Sequence, residues 1–387
     1  MSGEVETPVS ASPSSEPSPS SRSSSTIQVD LFARTDVGQI REHNEDNFLV
    51  ADLSRKTRSI LDTNRSAHVG PEGLLLCVCD GMGGAAAGEI ASQLAVDIIY
   101  ERMAEPHSGA RSLSRDVVAR KLVRAIESAG TRILQEAKLD RTRRGMGTTV
   151  TAAAFIDDHL FLAQVGDSRG YVLRDGKLTQ VTRDQSLVNQ LIEAGQLTEE
   201  EAETFEHNNI ILQALGTQDT VQVDLTFVHL RRGDVLLLCS DGLSGMVRAD
   251  DIRELLTQYD NPLDACKALT ERANANGGHD NITVIVARFD GDVLKPLESG
   301  VPPLKYQKYQ LSEEVPETTE PLKALFGQEP GSAGALPAEG PAGGTERLTL
   351  SDEPIVLPHG SSSRVVAVMI AAAVALVLCV AILLLRK

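Results

Sequence analysis

The chain has 387 residues, 41% of them hydrophobic, and a formal net charge of −17 from 54 acidic against 37 basic side chains. That length holds one large domain or two ordinary ones, and the acidity argues against nucleic acid, whose phosphate backbone needs a basic face. Five cysteines (Cys77, Cys79, Cys239, Cys266 and Cys379) make no CxxC and no zinc-type spacing, so they read as small buried hydrophobes in a reducing compartment.

Residues 1–26 are dominated by Ser, Pro and Glu without an apolar period, which predicts a disordered tail. No basic stretch followed by an apolar one opens the chain, so no secretory leader is expected. Only Pro71, Pro106 and Pro262 interrupt the stretch from 27 to 290, and one domain of that span is the economical reading. Alternation over residues 27–33 and 46–52 predicts two strands. Between them lies Arg41-Glu42-His43-Asn44-Glu45-Asp46, where adjacent carboxylates repel unless a cation intervenes and an arginine offers a planar fork for phosphate oxygens. A surface salt-bridge cluster accounts for this stretch equally well.

The apolar run 74–78 ends in Cys79-Asp80-Gly81-Met82-Gly83-Gly84. It reads as a buried strand opening into a tight loop, with one carboxylate at its tip and glycines that let backbone approach a bound ion. Helical periodicity follows over 88–103 and 117–137, then strands over 150–156 and 159–165. The second of these ends in Gly166-Asp167-Ser168-Arg169. Asp175-Gly176 between 171–173 and 178–181 signals a hairpin, 187–194 a helix, and Thr198-x-x-Glu201 a capping box. The run 235–240 delivers Asp241-Gly242, and Gly277-Gly278-His279-Asp280-Asn281 precedes a last strand over 282–289.

Asp46, Asp80, Asp167, Asp241 and Asp280 therefore all sit at strand edges. Each alone reads as a turn residue; together they suit a hard cation held by oxygen, Mg2+ or Mn2+, and the lack of a Cys/His set argues against zinc. Residues 291–363, rich in Pro, Gly, Ala and Glu, read as a flexible linker spanning roughly 45–50 Å as a random coil. Residues 365–385 are uniformly apolar between Arg364 and Arg386-Lys387, long enough for one transmembrane helix. Inserted as a tail anchor, it leaves the folded domain on the cytosolic side.

The ordered set Arg-x-x-x-Glu-Asp, Asp-Gly-x-Gly-Gly, Gly-Asp-Ser-Arg, Ser-Asp-Gly and Gly-Gly-x-Asp-Asn resembles the metal-dependent type 2C protein Ser/Thr phosphatases, most of all their bacterial branch. The resemblance covers 27–290 and implies an α+β fold, a four-layer α-β-β-α sandwich. It implies that Asp80 bridges two Mn2+ or Mg2+ ions, with the Gly81 carbonyl on one. Asp241 and Asp280 complete the first site, and Glu45 and Asp46 support the second through water. Asp167 with Asp241 matches a third metal position, Asn281 stands behind the ligands, and Arg41 matches the phosphate-binding arginine. Residues 182–216 correspond to a variable flap. The expected activity is hydrolysis of phosphoserine and phosphothreonine in proteins by a metal-activated water, with membrane Ser/Thr kinases among the candidate partners. The alternative is a tethered pseudophosphatase that binds without turnover, whose mark is a lost metal ligand. Three positions depart from the family: Met82 stands where eukaryotic members carry a histidine, Gln185 replaces a flap histidine, and Glu206-His207-Asn208-Asn209 replaces His-Pro-x-Arg-Asn.

Overall fold

Antiparallel pairing of strands, each apolar on the face it buries, builds the domain. The structure is a computed structural model and describes residues 27–58, 66–106, 114–202, 205, 209–297 and 302–312. The strands are β1 (Gln28–Asp36), β2 (Asn47–Asp52), β3 (Thr57–Arg58), β4 (Ser66–His68), β5 (Leu74–Cys79) and β6 (Gly81–Met82), followed by helices α1 (Ala85–Ala104) and α2 (Arg115–Leu139). Then come β7 (Gly147–Thr148), β8 (Val150–Ile156), β9 (His159–Val165), β10 (Arg169–Arg174) and β11 (Lys177–Gln180), and the short helices α3 (Leu187–Glu193) and α4 (Glu199–Ala202). The chain continues through β12 (Asp224–His229), β13 (Val235–Cys239), α5 (Asp241–Ser244), α6 (Ala249–Gln258), α7 (Pro262–Ala275) and β14 (Ile282–Asp290).

Two six-stranded sheets result, ordered β12-β9-β8-β5-β2-β3 and β11-β10-β13-β14-β1-β4. The period of two along a strand sorts side chains between layers. Leu74, Leu76 and Val78 of β5 meet Val29, Leu31, Leu236, Leu238, Ile285 and Phe289 between the sheets, where the Phe155 and Phe289 rings lie 5.0 Å apart. Truncating either ring to Ala costs about 3–5 kcal/mol. Leu75, Cys77 and Cys79 face the other way, onto α1 and α2. The outer face of the second sheet, with Tyr171, Leu237 and Val284, is covered by Ile252, Leu256 and Leu269 of α6 and α7. The order is thus helix, sheet, sheet, helix, as the resemblance implies. A strand buried on both faces is apolar at every position, which is why the β5 run is continuous.

Small residues ease the helix packing: Ala87, Ala91 and Ala95 of α1 are buried in the core that α1 and α2 share with the sheet, and their size permits close approach. Ser114 caps α2 by accepting from Val117 N, and Asn261 caps α7 by accepting from Leu263 N at 3.0 Å with Pro262 just inside, the asymmetry expected of a helix start. The Asp175-Gly176 hairpin forms, both residues at positive φ (50° and 69°), and Thr198 and Glu201 make their reciprocal capping bonds. Cys77, Cys79, Cys239 and Cys266 are free and buried.

The structure corrects the linker boundary. Leu294 is fully buried, and Lys295 O accepts from Arg232 N at 3.0 Å. Residues 302–312 lie along the β12 edge: Phe227 N donates to Gln307 O at 3.3 Å, and Tyr309 N to Leu225 O at 2.7 Å. The Tyr309 ring packs edge-on against Phe161 and Phe227, at 5.0 and 5.3 Å, and its hydroxyl donates to Asp116. The Tyr306 hydroxyl donates to Asp224 at 2.8 Å. An exposed edge strand leaves unpaired backbone groups, and this strip covers them. The terminal tail over 1–26, most of the linker and the proposed membrane helix over 365–385 lie outside the described residues. Among the described residues no helix is long and apolar enough to cross a membrane.

Tyr309→Ala is expected to lower unfolding free energy by about 1–3 kcal/mol, read from urea midpoints. A chain ending at 290 should melt below one ending at 312. Equal midpoints and equal melting temperatures would show that the strip adds no stability.

Candidate active site

Register brings the acids together. Asn47 pairs with Cys79, so Asp46, just before β2, and Asp80, just after β5, are neighbours. Cys239 pairs with Val284, which sets Asp241 beside Asp280. Val150 pairs with Val165, and Asp167 follows at the same end. Every one of the five strand-edge aspartates therefore lies at one pole of the sandwich, with Glu45 next to Asp46.

Asp46 and Asp167 are buried, while Asp80, Asp241 and Asp280 keep an edge to solvent. The supports are mostly neutral. Ser240 Oγ donates to Asp46 Oδ2 at 2.8 Å and accepts from Thr283 N at 3.0 Å. Thr149 Oγ1 accepts from Asp80 N at 3.0 Å, and Asp80 O accepts from Thr149 N and Thr148 Oγ1, each at 2.8 Å. Asn281 ties the β14 tip to the Glu45 loop: its Oδ1 accepts from Glu45 N at 2.8 Å, and its Nδ2 donates to Val37 O and His43 O, each at 2.9 Å. The glycines are required by close approach. A Cβ on Gly81 would lie 2.3 Å from Gly88 O and 2.5 Å from Glu45 O, and one on Gly242 would lie 2.0 Å from Asn281 O.

Electrostatics point to a missing positive charge. Burial, then the charges of Asp46 and Asp241, holds Asp80 well above the usual carboxylate range. Burial, then Asp280, raises Asp241. Asp46 is pushed up to about 8 by burial and by Asp241 and Asp280, and Asp167 to about 8 by burial and by Asp241 and Asp184. Oδ1 of Asp46, Asp167 and Asp241 are each buried without a hydrogen-bond partner. Orphaned carboxylate oxygens in a mutually repelling set are satisfied by a hard cation, so the residues present fit Mg2+ or Mn2+. Arg41 stands at the rim, half-exposed, with one guanidinium nitrogen 2.7 Å from Asp280 Oδ2.

Several functional residues escaped the sequence reading. Gln185 is more than a departure: its Oε1 accepts from Gly166 N at 3.0 Å, and its Nε2 donates to Gln222 O at 3.0 Å, bracing the Asp167 loop. Ser168 Oγ bonds Thr149 Oγ1 at 2.8 Å, and Arg169 Nε donates to Asp184 Oδ2 at 2.7 Å. Gly147-Thr148-Thr149, just before the strand read over 150–156, carries no local sign that its threonines cradle Asp80. Of the other departures, Met82 sits in β6 against β7, and positions 206–208 lie outside the described residues.

Residues 62–275 match the family model of protein phosphatase 2C. The chain belongs to that family. It is 35% identical over 257 residues to the serine/threonine phosphatase stp of Listeria monocytogenes, covering 66% of this chain and 94% of that protein. It is 39% identical over 265 residues to the protein phosphatase PhpP of Streptococcus pneumoniae, covering 68% and 98%. Among solved structures, it resembles the catalytic domain of serine threonine protein phosphatase PstP in complex with two manganese ions, with TM-score 0.56 and 36% identity over 68% of this chain and 100% of that one. The type 2C fold and the Ser/Thr phosphatase class of this chain follow.

The raised carboxyls make a signed prediction for the cation-free protein. Between about pH 4, where these acids ionise when unfolded, and about pH 8, where Asp46 and Asp167 ionise when folded, the folded chain binds more protons, so stability falls as pH rises. Melting in chelator should be higher at pH 5.5 than at pH 8, and saturating Mn2+ should remove that slope by stabilising the folded state. A flat or rising chelator profile would contradict the charge crowding described here.

Proposed function

We propose that the chain dephosphorylates phosphoserine and phosphothreonine in proteins, with Mn2+ or Mg2+ as cofactor. The observation that carries this is the convergence of five strand-tip aspartates, three of which (Asp46, Asp167 and Asp241) each bury an oxygen without a partner, in a chain of the protein phosphatase 2C family. Asp80, flanked by Asp46 and Asp241, would be the central ligand of the cation centre, with the Gly81 carbonyl as a further oxygen donor. Asp241 and Asp280 would help hold one cation, Glu45 and Asp46 another, and Asp167 with Asp241 would suit a third. Bound there, the cations supply an acidic water at neutral pH and Lewis acidity toward phosphoryl oxygens.

The chain's own residues do the positioning. Arg41 spends one nitrogen on Asp280 and is half-exposed, so its other N–H groups can orient a phosphate in the bidentate manner guanidinium favours. Ser240, Thr149 and Asn281 orient ligands without adding charge, so they do not compete with a cation. Met82 carries no titratable proton, so the departing serine or threonine oxygen takes its proton from water. Every acid that a binding-only pseudophosphatase would be expected to lack is present.

The domain is further proposed to be tethered to a membrane by residues 365–385, on its cytosolic face. Supporting this are the unbroken apolar run between basic residues and the free buried cysteines, which fit a reducing compartment. Phosphorylated membrane Ser/Thr kinases are then within reach as substrates.

Phosphate release from a phosphothreonine peptide should require Mn2+ or Mg2+ and be abolished in Asp241→Asn. Arg41→Ala should raise KM roughly tenfold or more, the worth of a charge-assisted contact, with cation affinity retained. Tight peptide binding without release at any cation would turn the reading to the pseudophosphatase. For the tether, full-length chain should sediment with membranes and a chain ending at 363 should not; equal partition would remove it.

A further inference from the structure

A second cluster of metal-type ligands lies at the opposite pole. β9 carries Asp167 beyond its last residue and His159 at its first, so the two ends are on the order of 25 Å apart along the strand. Asp158 sits in the tight β8–β9 turn, and His159 pairs in register with His229, the last residue of the β12 edge strand. The two imidazole rings meet edge-to-face with centroids 4.2 Å apart. One candidate ligand atom from each of Asp158, His159 and His229 lies within 4.8 Å of the other two. His159 is 2% exposed, and its Nδ1 is buried without a hydrogen-bond partner, although Asp158 Oδ1 approaches it to 2.6 Å.

The plain alternative is a charge cluster, because Arg115 at the start of α2 lies 3.2 Å from the same Asp158 oxygen. That pairing is half-exposed on the arginine side and leaves the buried imidazole nitrogen unsatisfied. A metal ion resolves this by taking a neutral nitrogen from each ring and the negative charge of Asp158.

We propose that Asp158, His159 and His229 form a site for a borderline divalent cation, Zn2+ in the first instance, distinct from the acidic centre. Two imidazoles and one carboxylate suit Zn2+ better than Mg2+ or Mn2+, with solvent in the fourth position. Donor atoms around a tetrahedral zinc stand roughly 3.3 Å apart, so Asp158 must swing outward by less than an ångström, releasing Arg115. Its place in an exposed turn permits that. Occupancy would clamp the β8–β9 turn to β12, whose Phe227 lies between His229 and Tyr309 of the docked strip. The site is therefore structural or regulatory and independent of the hydrolytic chemistry.

The test uses full-length chain with Mg2+ in excess to fill the acidic centre, equilibrated with Zn2+ against a competing chelator. One zinc per chain should be retained, with affinity reduced at least about tenfold in His229→Ala and in Asp158→Asn. In the unaltered chain, Zn2+ should shift the imidazole nitrogen resonances of His159 and His229 and leave those of His43 and His279 in place. No retained zinc, equal retention by both variants, or shifts confined to His43 would overturn the proposal. The resonance measurement decides the matter even if a variant fails to fold.

Discussion

Carboxylate crowding at one pole of a double sheet is the constraint on which this structure depends. Like charges in a partly buried space destabilise the fold unless compensated, and the protein supplies little compensation of its own. Arg169 is engaged by Asp184, and Arg41 stands at the rim on Asp280. The contacts that aim the acids come from hydroxyls, an amide side chain and backbone N–H groups, all neutral. Such a centre is incomplete as a purely protein object. Its electrostatics are balanced by cations from outside, and the rigid sandwich prevents the acids from relaxing away from one another in the meantime.

That rigidity comes from strands rather than loops. Asp80, Asp241 and Asp167 each follow directly on an apolar strand locked on both sides by neighbours and on both faces by core. A carboxylate one or two residues beyond such a strand inherits its position. The glycines finish the arrangement: with Gly81 and Gly242 in contact with the main chain of facing segments, the loops pack backbone to backbone. Substituting either would move an acid by pushing its own loop.

The acids and the strands that hold them were legible because both leave a local trace. An inner strand buried on two faces is a continuous apolar run, and an acid with glycine at its end breaks that run abruptly. The β12 strand left no such trace, since it is a short edge strand with polar ends. Nor did α6 and α7 stand out, although Asn261-Pro262 is a helix-start signal that the acidic motifs around it overshadowed. Gln185 registered only as a missing histidine, because its value lies in bonds to Gly166 and Gln222, partners that no spacing within the chain discloses. The strip 302–312 reads as linker by composition, and only the unpaired β12 edge gives Leu304, Tyr306 and Tyr309 something to cover.

The strip also ties β12 to the start of α2. Tyr309 and Ser312 both bond Asp116, the neighbour of Arg115, which pairs with Asp158 in the turn at the far end of β9. Residue 312 is therefore anchored at the pole opposite Asp80 and Asp241. β14 runs from the acidic pole and ends at Asp290 on the other sheet, so it is the strip beyond it that covers the β12 edge. Docking the strip thus solves two problems with one segment. It pairs an edge that would otherwise invite association with another strand, and it ties that edge to the first turn of α2 through Tyr309 and Ser312 on Asp116.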